Sequence, residues 1–113
     1  MAWVETDLDV KRVTSVELDR MFYTYRLHPE ERWLIDASTV TSFSPDAVSH
    51  AVENFVALHR QHGLRLIVAV ITSPLVRMGA ATAAMSLRAL KTPVEIEIVE
   101  ERAAGVALLR ALT

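Results

Sequence analysis

RWLIDASTVTSFSPDAVSHAVENFVALHRQHG, residues 32–63, is the stretch that decides the predicted fold. An apolar run ends in Asp36, a loop rich in serine and threonine follows, and Ser44-Pro45-Asp46 precedes a long helical pattern that is expected to end at Gly63. Ser44 is a favourable N-cap and Pro45 a favourable first helical residue, so we expect the helix to begin there. A strand, a polar loop and a helix N-terminus form the arrangement in which open α/β sheets place their working surface.

The same alternation extends in both directions from this stretch. Apolar strand patterns cover residues 3–10, 32–37, 64–71 and 94–99, and a helical pattern follows each of them. The order β-α-β-α-β-α-β-α predicts an α/β fold with a mainly parallel sheet of four to five strands. The last strand pattern, VEIEIV, alternates strictly and is therefore expected at an edge of the sheet. The length of 113 residues predicts one domain over residues 1–113.

Composition argues against several classes of protein. The net charge is −2, which disfavours a dedicated nucleic-acid binder. There is no cysteine, so thiol nucleophiles, disulfides and thiolate metal sites are excluded. No apolar run reaches the roughly 18 residues of a membrane span. The first ten residues lack the basic and apolar regions of a signal peptide, and a cytoplasmic location is the resulting prediction.

Catalytic and cofactor motifs are missing from the sequence. The three glycines form no glycine-rich loop between a strand and a helix, so neither the Rossmann fingerprint nor the P-loop is present. His59 and His62 can share a helix face, but no third ligand has metal-site spacing. Asp36 can be a general base or a loop residue that accepts backbone hydrogen bonds. We therefore expect a protein that is not an enzyme and uses no cofactor or metal.

The loop at residues 38–44 has five hydroxyl side chains in seven residues. One interpretation is a loop that satisfies its own backbone. The other is a switch, because a phosphate at a helix N-terminus is stabilised by free amides and the helix dipole. Phe43 in this loop is either a plug of the core or an exposed anchor for a partner.

Charge is unevenly distributed along the chain. No acid occurs between residues 54 and 94, whereas that segment has five basic residues: Arg60, Arg65, Arg77, Arg88 and Lys91. This pattern fits either a solvated helix face or a basic surface that selects an acidic partner.

LIDASTVTSFSPDAVSHAV resembles the central segment of STAS domains, the anti-sigma-factor-antagonist family. Asp36, Val40 and Thr41 match that family's pattern directly. The resemblance extends over roughly residues 10–112 and is closest to divergent SpoIIAA-like proteins, in which a Ser-Pro-Leu-Val-Arg-Met type segment follows the third strand. It implies a regulatory module that binds another protein, such as a regulatory kinase or a scaffold.

The family's phosphorylation motif is degenerate in this chain. Where the family has Asp-Ser-Ser-Gly, this sequence has Ser44-Pro45-Asp46-Ala47. The position of the phosphorylated serine therefore falls on Asp46. A fixed carboxylate carries about half the charge of a phosphate, so we expect a constitutive docking surface rather than a switch.

These considerations predict a partner-binding surface and leave two alternatives. The surface comprises Asp36, Ser38, Thr39, Thr41, Ser42, Ser44, Pro45, Asp46, Ser49, Ser73 and Arg77. One alternative is a self-assembling structural or scaffold subunit, a homodimer for example, with contacts from the VEIEIV edge and the small-residue helix at 78–85. The other is a small-molecule or lipid-binding α/β protein, which requires a pocket beside Asp36 and the hydroxyl loop.

Overall fold

A computed structural model describes residues 3–112 and confirms an α/β fold with a parallel four-stranded sheet. The ends of the predicted domain, residues 1, 2 and 113, lie outside the described part. The strands are β1 (Val4–Asp7), β2 (Arg12–Val13), β3 (Arg32–Asp36), β4 (Ser42–Phe43), β5 (Leu66–Val70) and β6 (Glu95–Val99). The helices are α1 (Ser15–Leu27), α2 (Ala47–His62), α3 (Pro74–Ala89) and α4 (Arg102–Ala111).

The main sheet has the strand order β1-β3-β5-β6, and every neighbouring pair is parallel. Its register aligns Asp7 with Asp36, Asp36 with Val70, and Val70 with Val99, so all four carboxyl ends meet at one edge of the layer. The edge position predicted for VEIEIV is confirmed, because β6 pairs only with β5.

The first strand is shorter than the sequence pattern predicts. It ends at Asp7 rather than at Val10, and the Leu8 amide donates to the Asp36 carbonyl as the chain leaves the sheet. Aspartate is depleted in strands, which accounts for the early end at Asp7 and Asp9. The chain then forms β2, which pairs in parallel with β4 inside the hydroxyl loop. The β2–β4 ladder has two residues on each side, which is too short to show a hydrophobic period. The sequence therefore did not predict it.

Three helices cover one face of the sheet and one helix covers the other. α1, α2 and α3 pack over the main core, whereas α4 packs on β3, β5 and β6 from the opposite side. In the main core the Tyr25 ring stacks on Trp33 with centroids 4.4 Å apart, and Phe22 and Phe55 meet the indole edge-on. Alternate residues of each central strand therefore face different helix layers, which requires apolar residues on both faces.

The predicted start of α2 at Ser44 and Pro45 is wrong. The N-cap is Asp46, the helix begins at Ala47, and no side chain caps it. The Ser44 amide donates to the Val13 carbonyl, which holds Ser44 beside β2, and Ser44–Ala47 forms a turn closed by a 3.0 Å hydrogen bond. The β2–β4 ladder therefore delays the helix. Its other end is as predicted, because Gly63 has φ 72° and its amide donates to the His59 carbonyl.

Candidate functional site

The predicted surface residues lie around the carboxyl ends of the strands. Asp36 ends β3, and its Oδ1 accepts bonds from the Ser38 amide at 3.0 Å and the Ser38 hydroxyl at 2.7 Å. A cleft of about 200 Å³ beside it is lined by Asp7, Leu8, Asp9, Asp36, Ser38, Thr39 and Arg102. The loop-residue interpretation of Asp36 is therefore confirmed for one oxygen.

The other oxygen of Asp36 faces Arg102, a residue that the sequence analysis did not select. The Arg102 guanidinium lies 3.3 Å from Asp36 Oδ2, 2.8 Å from Asp7 Oδ1 and 2.6 Å from Glu5 Oε1. β1 and β3 supply the three carboxylates, and the first residue of α4 supplies the cation. The parallel register brings these groups together from positions almost a hundred residues apart.

Protonation in this cluster follows from its geometry. Burial raises the pKa of Asp36, but the bonds from Ser38 and the charge of Arg102 outweigh this effect and hold that pKa below its usual value. The hydrogen bond from Arg102 also lowers the pKa of Glu5. The bonds to Glu5 and Asp7 in turn raise the pKa of Arg102. A carboxylate held ionised in this way is a weak general base at neutral pH.

Two hydroxyls of the loop, those of Ser38 and Ser44, donate to carboxylates, and two others donate to backbone carbonyls. Thr39 Oγ1 donates to Leu8 O at 3.2 Å, and Thr41 Oγ1 donates to Lys11 O at 3.3 Å. From the β5–α3 turn, Thr72 Oγ1 donates to the Ser38 carbonyl at 2.8 Å. Ser42 lies in β4, where its amide donates to Lys11 O. Side chains of the loop thus satisfy carbonyls of the segment 8–11, and the β5–α3 turn satisfies a carbonyl of the loop.

Ser44, Asp46 and Ser49 form a second group at the start of α2. Ser44 Oγ donates to Asp46 Oδ1 at 2.7 Å, and this bond lowers the pKa of Asp46. Ser49 Oγ donates to the Asp46 carbonyl at 3.0 Å. Ser44 is buried while Pro45 and Asp46 are exposed, so a fixed negative charge rather than a free hydroxyl faces solvent here. None of these residues lines the cleft beside Asp36.

Ser73 and Arg77 lie at the start of α3. Ser73 is its N-cap and accepts the Val76 amide at 3.4 Å, as the Ser-Pro pattern indicates. Arg77 is exposed and forms an ion pair with Glu100 at 3.2 Å. A shallow depression of about 550 Å³ lies beside Arg77 and Glu100. Its lining residues are Thr72, Pro74, Arg77, Met78, Ala81 and Glu100.

The outward side of α3 exposes large apolar side chains. Leu75 is 49% exposed, Met78 67% and Met85 66%. Their spacing of three and seven residues places them on one side of the helix. We define the α3 face as these three residues together with the exposed Arg77 and Arg88 that flank them.

Phe43 connects the hydroxyl loop to α3. It is partly buried and packs on the main core, which supports the core-plug interpretation. Its ring lies over Gly79, where a β-carbon would be 2.8 Å from the ring. The sequence shows a glycine at position 79, but it does not show that Phe43 packs against it.

The histidines have separate structural contacts. His50 Nε2 lies 2.6 Å from Asp19 Oδ1, and His59 Nδ1 donates to the Leu64 carbonyl at 2.8 Å. Within residues 3–112, no group of three or more potential metal-ligating side chains is placed to hold an ion. Nor is any helix of that range long and apolar enough to cross a membrane.

Comparisons of the chain with protein-family models, with curated proteins and with solved structures found no match.

Proposed function

We propose that the protein is a non-catalytic regulatory module of the STAS type that binds an acidic partner protein in the cytoplasm. The contact surface is the α3 face together with the adjoining hydroxyl loop, residues 38–44. The exposed apolar row on α3 is the observation that carries the proposal. Scattered apolar side chains are ordinary on a protein surface, whereas a contiguous row typically marks an interaction site.

Charge selects the kind of partner. The segment 54–94, which contains all of α3, has five basic residues, and the chain's 14 acids all lie outside it. Arg88 and Lys91 are exposed at the end of α3, and Arg77 is exposed near its start. A partner whose surface combines apolar and acidic side chains complements this face, and opposite charges also accelerate association.

The loop and α3 form one continuous surface. Ser73 Oγ and Thr72 Oγ1 donate to the carbonyls of Thr41 and Ser38, at 3.5 Å and 2.8 Å. The Phe43 ring lies on Gly79. A partner on the α3 face is therefore next to the loop that the resemblance to STAS domains implicates.

The state of Asp36 supports a binding role. Its two oxygens are engaged by Ser38 and Arg102, and its pKa is lowered. A carboxylate with both oxygens engaged is poorly suited to abstract a proton from a substrate. Asp46 provides a permanent negative charge where the family has its phosphorylated serine.

A second copy of the chain is the competing partner. β6 is a free sheet edge, but Glu95 and Glu97 are exposed along it. Charged residues on an edge strand oppose pairing with another edge. We therefore favour a different protein as the partner and treat homodimerisation as an outcome to be tested.

Charge substitution on α3 tests the proposal. Wild type, Met78→Glu and the control Leu27→Glu, which alters an exposed apolar residue on α1, are used as baits in extract of the source cell. Bound proteins are quantified by mass spectrometry, and the main one is purified for titration. We expect Met78→Glu to raise the dissociation constant at least tenfold, Leu27→Glu to leave it unchanged, and added salt to weaken wild-type binding.

Three results contradict the proposal. In the first, Met78→Glu and wild type bind the partner with equal affinity. In the second, light scattering shows a dimer of the wild type that Met78→Glu disrupts. In the third, the wild type binds anionic vesicles and no protein. A further variant, Asp46→Lys, tests the contribution of the α2 start. Unchanged affinity in that variant removes Asp46 from the surface without affecting the α3 assignment.

A further inference from the structure

The helix-covered face of the sheet is packed unevenly from one end to the other. Near the amino ends of the strands, Trp33 is 0% exposed and its neighbour Ile67 is 1% exposed. Two residues further along, the paired Ile35 and Ala69 are 5% and 7% exposed. These positions lie on the two central strands beneath helices, and their residual accessible surface faces a space between the sheet and the helices.

That space is an apolar cavity of about 130 Å³ between the sheet, α2 and α3, and it is open to solvent. Its lining side chains, all from the described part of the chain, are aliphatic or aromatic apart from one glycine. Examples are Ile35, Ala69 and Ile96 from the sheet, and Phe55 and Ala83 from the helices. No hydroxyl, amide or charged side chain is among them.

Small residues create this cavity. α2 contributes Ala47 and Ala51 to its wall, and α3 contributes Gly79, Ala80 and Ala83. A leucine at one of these positions would fill much of the volume, and empty space in a core lowers stability. The local sequence therefore leaves room where tighter packing would have been favourable.

Phe43 lines the cavity and is only partly buried. It belongs to the two-residue β4, which pairs only with the two-residue β2. Short ladders of this kind are at the low-stability end of local opening, which gives a molecule a route of entry.

We propose that this cavity is a binding site for a small, neutral, apolar molecule about the size of a benzene ring. Water is a poor occupant because it needs two to four polar partners, which these side chains do not offer. An engineered apolar cavity of about 150 Å³ in another protein remains dry and binds benzene or xenon.

Benzene is the probe, with phenol as its polar counterpart. Thermal unfolding of the full chain is followed at increasing benzene concentration, and NMR identifies methyl groups in contact with the probe. We expect the wild-type midpoint to rise with benzene, as binding to the folded state alone requires. Contacts should involve Ile35, Val76 and Ile96. Phenol should bind at least tenfold more weakly, because its hydroxyl finds no partner.

Two alanine substitutions on the same helix provide the matched comparison. Ala83→Leu fills the cavity, whereas Ala89→Leu adds the same atoms at an exposed position. We expect Ala83→Leu to lose the benzene-induced shift and Ala89→Leu to retain it. If Ala83→Leu does not fold, Ala51→Val takes its place with a smaller fill and a partial loss of affinity.

Certain results overturn the inference. One such result is a thermal unfolding midpoint of the wild type that stays unchanged at every benzene concentration up to the solubility limit. Equal binding by the filled variant and the control, or probe contacts at other methyl groups, would show that benzene binds elsewhere.

Discussion

The ring of Phe43 lies against the backbone of Gly79, so that a β-carbon added at position 79 would be 2.8 Å from Cζ of the ring. This contact fixes the hydroxyl loop on α3. It joins the proposed contact surface to the apolar cavity, because Phe43 lines the cavity and α3 carries the α3 face.

Gly79→Ala is expected to destabilise the protein although it places a better helix former in a helix. Alanine at such a position ordinarily adds about 0.5–1 kcal/mol of stability. Here the new methyl group displaces the Phe43 ring, which costs about 1–3 kcal/mol. In a Phe43→Ala background the ring is absent, and Gly79→Ala should then stabilise the protein. Urea denaturation of the four proteins checks this, and equal effects in both backgrounds would show that the contact is unimportant.

Arg102→Met is expected to lower stability at neutral pH by about 1 kcal/mol, an estimate reduced for solvent exposure of the cluster. The loss arises because Glu5, Asp7 and Asp36 are left close together without their cation. Arg77→Met is the matched control, since it removes one exposed ion pair with Glu100. It should change stability by less than about 0.5 kcal/mol.

The effect of Arg102→Met should depend on pH in a defined direction. In the folded protein the pKa values of Glu5 and Asp36 lie below their ordinary values of 4.5 and 3.8. As the pH falls, the unfolded chain therefore takes up protons on Glu5 and Asp36 before the folded protein does. The stabilisation that is present above the ordinary pKa values is lost as the pH falls through the lower pKa values of the folded protein. Denaturation at several pH values should show wild type and variant converging in acid. A constant difference would exclude the ion pairs as its source.

Thr6→Val is expected to cost about 1–3 kcal/mol because it leaves a buried donor without a partner. The Trp33 Nε1–H donates to Thr6 Oγ1 at 2.9 Å, and both residues are buried. Thr24→Val is the control, since the Thr24 hydroxyl bonds a helix carbonyl at an exposed site. Equal losses in the two variants would mean that the hydrogen bond to Trp33 contributes nothing of its own.

Tyr25→Phe is expected to alter the alkaline limb of the stability curve. Burial raises the pKa of Tyr25 from 10.0 to about 12, and the hydroxyl donates to the Glu30 carbonyl. The raised pKa means that stability is intact below pH 10.0 and falls by roughly 2 kcal/mol as the pH rises toward about 12. Chemical denaturation across this range should show the fall in wild type. The phenylalanine variant should lack that component, and an identical decline in both proteins would assign it to other groups.

Patterns in the linear sequence were enough to predict the α/β class, the parallel sheet and the position of β6 at an edge. They also predicted local features such as the helix start at Ser73 and the end of α2 at Gly63. These outcomes depend on hydrophobic period, capping side chains and backbone freedom over a few neighbouring residues, which a linear pattern records directly.

Tertiary structure alone decided which distant residues meet. The parallel register placed Arg102 against Asp36, and the β2–β4 ladder delayed the first helical residue of α2 from Pro45 to Ala47. The same packing left Leu75, Met78 and Met85 in solvent and opened a cavity behind Phe43. A helix pattern in the sequence does not show which of its apolar residues a neighbouring layer of the fold will cover. Only the assembled sheet and helices settle that question, because burial is a property of all the elements together.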